Sequence, residues 1–240
     1  MDQLVQSAWV VGLLVVVAVV SAAGYWRART RLKRQAFIEN YRWPKGLLAK
    51  LKHKHPTLST KEAELVAQGL RQYFRVYLAG GCNNVAMPSQ VADDLWHEFI
   101  LYTKAYGAFC KQAFGGFFHH TPAAVLGANR HINADLRRCW WWACKDENIH
   151  PAKPSRLPLL FALDAKFHIP NGFHYVPDCS GPRRSDGGST SHCGGDFSNA
   201  SVDGCTDGFG ADGHGGHTSD SGDGGCSGGD GGGCGGGGGD

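Results

Sequence analysis

No C-x-x-C pair occurs in the 240 residues, although the chain carries nine cysteines. That absence removes the thioredoxin-type redox motif and the zinc ribbon from consideration. No alternating apolar and polar series reaches useful strand length, so the expected fold class is all-α. Large apolar residues almost vanish after Gly181, where Gly, Ser, Asp, Cys and His supply nearly everything. Such a tail cannot bury enough surface to offset its ordering entropy, and residues 181–240 are expected to be a disordered Gly/Ser/Asp/Cys-rich spacer with an r.m.s. reach of roughly 40 Å.

Charge is also missing, from Ala8 to Gly24, and Tyr25 and Trp26 follow as interfacial aromatics. With its flanks this run approaches the ~20 residues needed to cross a bilayer. A cleaved signal peptide is the competing reading, helped by the small residues Ser21, Ala22 and Ala23. Against it, Met1, Asp2 and Gln3 supply no basic n-region. Arg27, Arg29, Arg31, Lys33 and Arg34 crowd the far side instead, which by the positive-inside rule places that side in the cytosol. The expected topology is a single-pass membrane protein, N-terminus outside, with the bulk of the chain cytosolic. On that reducing side disulfides are not expected, and the Asn199-Ala200-Ser201 sequon has no meaning.

Residues 1–180 hold 22 basic and 12 acidic side chains, a net +10, whereas residues 181–240 hold two and nine, a net −7. The basic stretch continues through Arg42, Lys45, Lys50, Lys52, His53, Lys54 and His55. Attraction to anionic lipid headgroups is one reading, at about 1 kcal/mol per cation near the surface; a topogenic flank is the other. Nucleic acid is not an expected partner, because no recognised motif or aromatic stacking series accompanies the charge. The chain is accordingly divided into an anchor (1–26), a basic juxtamembrane segment (27–58), a helical domain (59–180) and the tail (181–240).

Within the domain, Ser59-Thr60-Lys61-Glu62 has the form of a capping box, and Leu65, Val66, Leu70, Phe74, Tyr77 and Leu78 recur at helical spacing until Gly80-Gly81. Ser89 can cap a second helix carrying Val91, Leu95, Trp96, Phe99 and Ile100. Thr121-Pro122 reads as a cap plus a first-turn proline opening a third helix towards Glu147. Leu159 to Phe167 makes a short one. The expectation is a small bundle of about four helices. Trp140, Trp141 and Trp142 span about 200° of a helix and cannot all face one core.

Candidate chemistry lies between Val91 and Pro122. Asp93 and Asp94 stand four and three residues before His97, so either carboxylate can face the imidazole or join it at a cation such as zinc. His97-Glu98 starts a zincin motif, but the position that needs the second histidine is Leu101, so that motif fails. Cys110 would stand about 20 Å from His97 along an unbroken helix, and could approach only through a bend such as one near Gly107. His119 and His120 are better placed, because Gly115-Gly116 permits a chain reversal. Being adjacent they point in different directions, so one of them at most is a ligand. The metal candidates are therefore His97, Asp93, Asp94, His119 and His120. The same constellation also fits a structural polar network, and no cofactor is otherwise indicated.

The pattern D-x-x-W-H-x-F-I-L-x-T-x-x-Y-x-x-F-C with G-x-F-H-H-x-P, carried by Asp93, Trp96, His97, Phe99, Ile100, Leu101, Thr103, Tyr106, Phe109, Cys110, Gly116, Phe118, His119, His120 and Pro122, resembles the bacterial branch of the glycine-rich-domain-protein-like family. The resemblance weakens through A-N-R-H-I-N-A-D-L-R-R and L-P-L-L-F-A-L-D and covers about half the chain. It implies an uncharacterised membrane-associated protein, here of the bacterial inner membrane, without assigned catalytic residues. Gly208-Phe209-Gly210-Ala211-Asp212-Gly213 follows no strand, and dinucleotide binding is dismissed. Three classes follow: a membrane-tethered interaction module for an unidentified protein partner, a membrane-bound zinc enzyme such as a hydrolase, and a metal-handling protein using His192, Cys193, Cys205, His214, His217, Cys226 and Cys234 of the tail.

Overall fold

Residues 2–40 lack proline and contain glycine only at Gly12 and Gly24, so nothing interrupts helical hydrogen bonding before Pro44. In the computed structural model, which describes residues 2–120, 130–177 and 192–193, they form one 39-residue helix, α1 (Asp2–Asn40). Its apolar part is long and apolar enough to cross a membrane, and none of it is buried in the protein. The other end of the same helix is core: Ile38 is fully buried.

Gly46, at φ 85°, turns the chain into α2 (Leu47–Lys54). In α3 (Thr60–Ala79) the capping box is present, with the Ser59 amide donating to Glu62 Oε2 and the Glu62 amide donating to Ser59 Oγ. Ser59 is thus a cap as the sequence predicts, and it spares two amides that would otherwise go unbonded. Ser89 caps α4 (Gln90–Ile100) by accepting from the Ala92 amide at 3.2 Å. Then follow α5 (Thr103–Phe114), α6 (Arg130–Asp146) and α7 (Leu159–Lys166). A two-residue strand, β1 (Tyr175–Val176), pairs in parallel with β2 (His192–Cys193).

The described residues are mostly helical, in seven helices where an anchor helix and about four more were expected. Two differences explain the count. First, the domain does not start at residue 59. Leu47, Leu51 and Leu58 are buried with Ile38, and Phe37, Tyr41 and Trp43 pack their rings on Phe99 and Phe109, edge to face for Tyr41 on Phe109 and Trp43 on Phe99. Cations and large apolar residues interleave in this segment, so one face is packed while the other stays charged. Arg71 donates to Tyr41 O at 2.5 Å and lies over Trp43, which ties the segment to α3. Second, the helix expected from Ser89 onward breaks at Leu101–Tyr102, not near Gly107. The Tyr102 amide bonds to Phe99 O, closing a tight turn, and Phe99 then meets Tyr106 and Phe109 edge to face across the corner.

Three buried polar anchors complete the frame. Asp164 of α7 accepts from Ser89 Oγ (2.8 Å) and from the amides of Gln90 (2.7 Å), Val91 (3.2 Å) and Phe173 (2.9 Å), so one carboxylate caps α4 and fastens the C-terminal loop. Gln72 links α3 to Glu147 and to the Leu160 amide. Asp94 is 5% exposed and binds Lys54 and His55 of the α2 end. Among the tryptophans Trp140 is buried, whereas Trp141 and Trp142 stay half-exposed under Lys145 and Arg31, as the helical arc requires. Thr121-Pro122 and, apart from His192–Cys193, the tail from residue 181 lie outside the described residues; α6 is described from Arg130.

Candidate metal centre

One turn of α4 separates Asp93 from His97, so the two side chains emerge together on the face opposite Leu95 and Phe99, which are fully buried. The third member arrives from the far end of α5. Gly115, at φ 86°, ends that helix in the left-handed region that favours glycine and sends the chain back. The next residues run without regular structure and alternate in burial: Phe117 exposed, Phe118 buried, His119 exposed, His120 half-buried. Phe118 is the seat of this segment. Its ring stacks on Tyr77 (centroids 3.7 Å) and Trp96 (4.9 Å), and its carbonyl accepts from Tyr106 Oη at 2.5 Å. Tyr106 Oη in turn accepts from Trp96 Nε1 at 3.1 Å.

With Phe118 held, an extended segment brings the residue two further on to the same side. His120 therefore lands on α4, edge-on to Trp96 with centroids 4.5 Å apart, with Nε2 2.9 Å from Asp93 Oδ1. Asp93 Oδ2 lies 3.4 Å from His97 Nδ1, and the two imidazole centroids are 4.2 Å apart. One ligand atom from each of Asp93, His97 and His120 lies within 4.8 Å of the others. Ligands at ~2.05 Å around a tetrahedral ion stand roughly 3.3 Å apart, so shifts of an ångström or so would bring the set to an ion. The His97 side chain is 48% exposed, against 12% for His120 and 21% for Asp93, so the centre opens to water on the His97 side.

Two of the five candidates fall elsewhere. Asp94 points to the opposite side, 2.6 Å from Lys54 Nζ and 2.7 Å from His55 Nε2, where it clamps α2 to α4. His119 turns outward onto the Phe117 ring at 4.7 Å. Lys50, Lys54 and His55, grouped by sequence with cations that could meet lipid, have partners inside the domain in Glu98 and Asp94. Cys110 is fully buried beside Tyr106, and burial pushes its thiol up, so it supplies no ready thiolate. Cys139 and Cys144 are buried as well, with burial raising both, Cys144 to about 12. Behind the centre, burial and then the nearby Cys139 and Asp93 hold the Tyr73 phenol well above its usual range, so it stays a neutral donor to Val85 O.

The residues missed by sequence reasoning are those that position the ligands. Phe118 and Tyr106 read only as aromatic core, and the run Phe117-Phe118-His119-His120 carries no polarity difference by which sequence could choose His120 over His119.

No curated protein and no solved structure matches the chain, and nothing found links it to the glycine-rich-domain-protein-like family. The model of the UCP032817-like family matches residues 33–197, which begins within α1, takes in every residue of the centre and exceeds half the chain; the chain belongs to the UCP032817-like family.

Proposed function

We propose that the protein is a membrane-anchored helical domain that binds one divalent transition metal, zinc in the first instance, through Asp93, His97 and His120. The observation that carries this is the convergence of three ligand atoms within 4.8 Å from positions 93, 97 and 120. Two imidazoles and a carboxylate form a donor set suited to zinc and to other first-row metals. With three protein ligands a four-coordinate ion would keep one position for another ligand, and the His97 side of the centre is the one exposed to solvent. Such a position holds water or a substrate oxygen, which is the requirement for metal-assisted hydrolysis.

The anchor is part of the proposal. The exposed apolar stretch of α1 is followed at once by five cations, which favours a cytosolic domain and an external N-terminus at the inner membrane of a bacterium. Cleavage after the small residues Ser21–Ala23 would cut a continuous helix whose far end is packed in the core, which favours an anchor over a signal peptide. The interaction-module reading draws support from the same continuity, because a domain joined to its anchor without a linker presents its surface at a fixed height.

Cobalt(II) titration of the full-length protein in detergent tests the metal reading. One equivalent should produce visible d–d absorption of a nitrogen–oxygen site, lost in His97→Ala and His120→Ala and kept in His119→Ala. Identical spectra for all four proteins would refute it.

A further inference from the structure

α1 fixes which end of the domain lies next to a bilayer. Arg31 and Arg34 stand five and eight residues beyond Trp26, roughly 7.5 and 12 Å along the helix axis. Both already touch the domain. Arg31 donates to Ala79 O at 2.9 Å and its guanidinium carbon lies 5.7 Å from the Trp142 ring centroid. The Arg34 guanidinium packs so closely on Gly115 that a Cβ there would stand 2.5 Å from it. At the end of α1 Glu39 pairs with Arg75, and Tyr41 just beyond it meets Arg71 and Phe109. α3 and α5 therefore run antiparallel to α1, and their C-terminal turns, Gly80–Cys82 and Gly115–Phe117, face back towards the apolar stretch.

A bilayer with a ~30 Å hydrocarbon core and a total thickness of ~40–45 Å has headgroup layers of roughly 5–8 Å. The domain thus begins where the headgroups end. At that end Phe117 is 54% exposed, with a ring contact to Tyr106, and Leu32 is 65% exposed, so both turn most of their apolar surface to solvent. Arg27, Arg29, Arg31 and Lys33 are exposed, and no acid occurs between Arg27 and Ile38. Exposed apolar side chains ringed by one sign of charge suit a surface that is apolar beneath and anionic above.

We propose that this end of the domain docks on an anionic phospholipid surface, with Phe117 and Leu32 against the headgroup layer and Arg27, Arg29 and Lys33 on lipid phosphates. This rests on reading α1 as a membrane span. Docking stiffens the Gly115–Phe117 turn, and His120 is only three residues on, so the candidate metal centre stands within roughly 10 Å of the turn held by lipid.

The test uses the full chain in nanodiscs of phosphatidylcholine alone and of phosphatidylcholine with one quarter phosphatidylglycerol, with detergent micelles for comparison. Amide exchange at Gly80–Cys82 and Gly115–Phe118 should be slower by about fivefold or more in the anionic discs than in micelles or in discs of phosphatidylcholine alone, and equal exchange in the two discs would overturn the role of anionic lipid. Lys52–His55, at the opposite end, should not change. The triple variant Arg27→Gln, Arg29→Gln, Lys33→Gln should stay inserted and lose the dependence on phosphatidylglycerol, and Phe117→Ser should lose protection at its own turn. Equal exchange in discs and micelles, with the protein resisting alkaline extraction, would overturn docking and leave the span standing. Release by alkaline extraction would overturn both.

Discussion

His120 Nε2 stands 2.9 Å from Asp93 Oδ1 across 27 residues of sequence, and the other oxygen of the same carboxylate faces His97. One acid thus joins a helix face to a returning segment. A metal ion would take the place of the Asp93–His120 hydrogen bond using the same three side chains, so the positions that align the imidazoles also set affinity.

Tyr106→Phe removes the donor to Phe118 O and the acceptor for Trp96 Nε1, both buried. It should lower stability by about 2 kcal/mol in denaturant unfolding. Through the loosened His120 segment it should also weaken zinc binding by roughly tenfold. Unchanged zinc affinity in a folded Tyr106→Phe protein would show that Phe118 does not position the ligand.

Asp164 should be a keystone of stability and not of metal binding. Its carboxylate is buried and takes four hydrogen bonds, three of them from Ser89, Gln90 and Val91 at the start of α4. Asp164→Ala leaves these donors without a partner in the core and should cost about 3 kcal/mol or more in unfolding experiments. Asp164→Asn should recover part of that loss, because the amide oxygen can still accept.

The capping box predicts a pH dependence. Hydrogen bonds from Ser59, first the backbone amide and then the side chain, hold the Glu62 carboxyl below its ordinary value of 4.5. A folded-state value below the unfolded one stabilises the fold above the unfolded value, and the contribution is lost as pH falls through the folded value. The stability difference between the wild type and Glu62→Gln should therefore be constant from neutral pH down to about 5 and shrink in more acidic solution. A difference that grows in acid would contradict the assignment.

Cysteine reactivity should divide along burial. Cys110, Cys139 and Cys144 are fully buried, and burial raises all three thiols, whereas Cys82 is only half-buried. Brief alkylation at pH 8 followed by mass-spectrometric mapping should label Cys82 well before the other three. Cys110→Ser should leave metal binding unchanged, in keeping with its place in the core.

Much of this was legible locally. The capping box of α3, the Ser89 cap, the unbroken apolar run of α1 and the one-turn spacing of Asp93 and His97 are each decided by neighbours in sequence. Gly115-Gly116 announced a reversal, whereas the separation of Cys110 from His97 was argued along an unbroken helix that the turn at Leu101–Tyr102 removes, and it is burial in the core that sets Cys110 apart. What sequence reasoning missed depends on partners far along the chain. The break at Tyr102 exists because Phe99, Tyr106 and Phe109 meet across a corner, a preference that no local propensity encodes. Lys54 and His55 look like solvated cations until α2 packs on α4 and finds Asp94. Asp164 resembles an ordinary helix-surface acid until α7 brings it to the start of α4. The choice between His119 and His120 turned on which side of an extended segment Phe118 occupies.

The most direct measurement is a zinc competition titration of the full-length protein against a chromogenic chelator, with His119→Ala and His120→Ala in parallel. These adjacent substitutions remove the same chemical group and differ only in the direction of the side chain. The account predicts one tight site in the wild type and in His119→Ala, with affinity lowered at least about 100-fold in His120→Ala. Equal affinity in the two variants would contradict it.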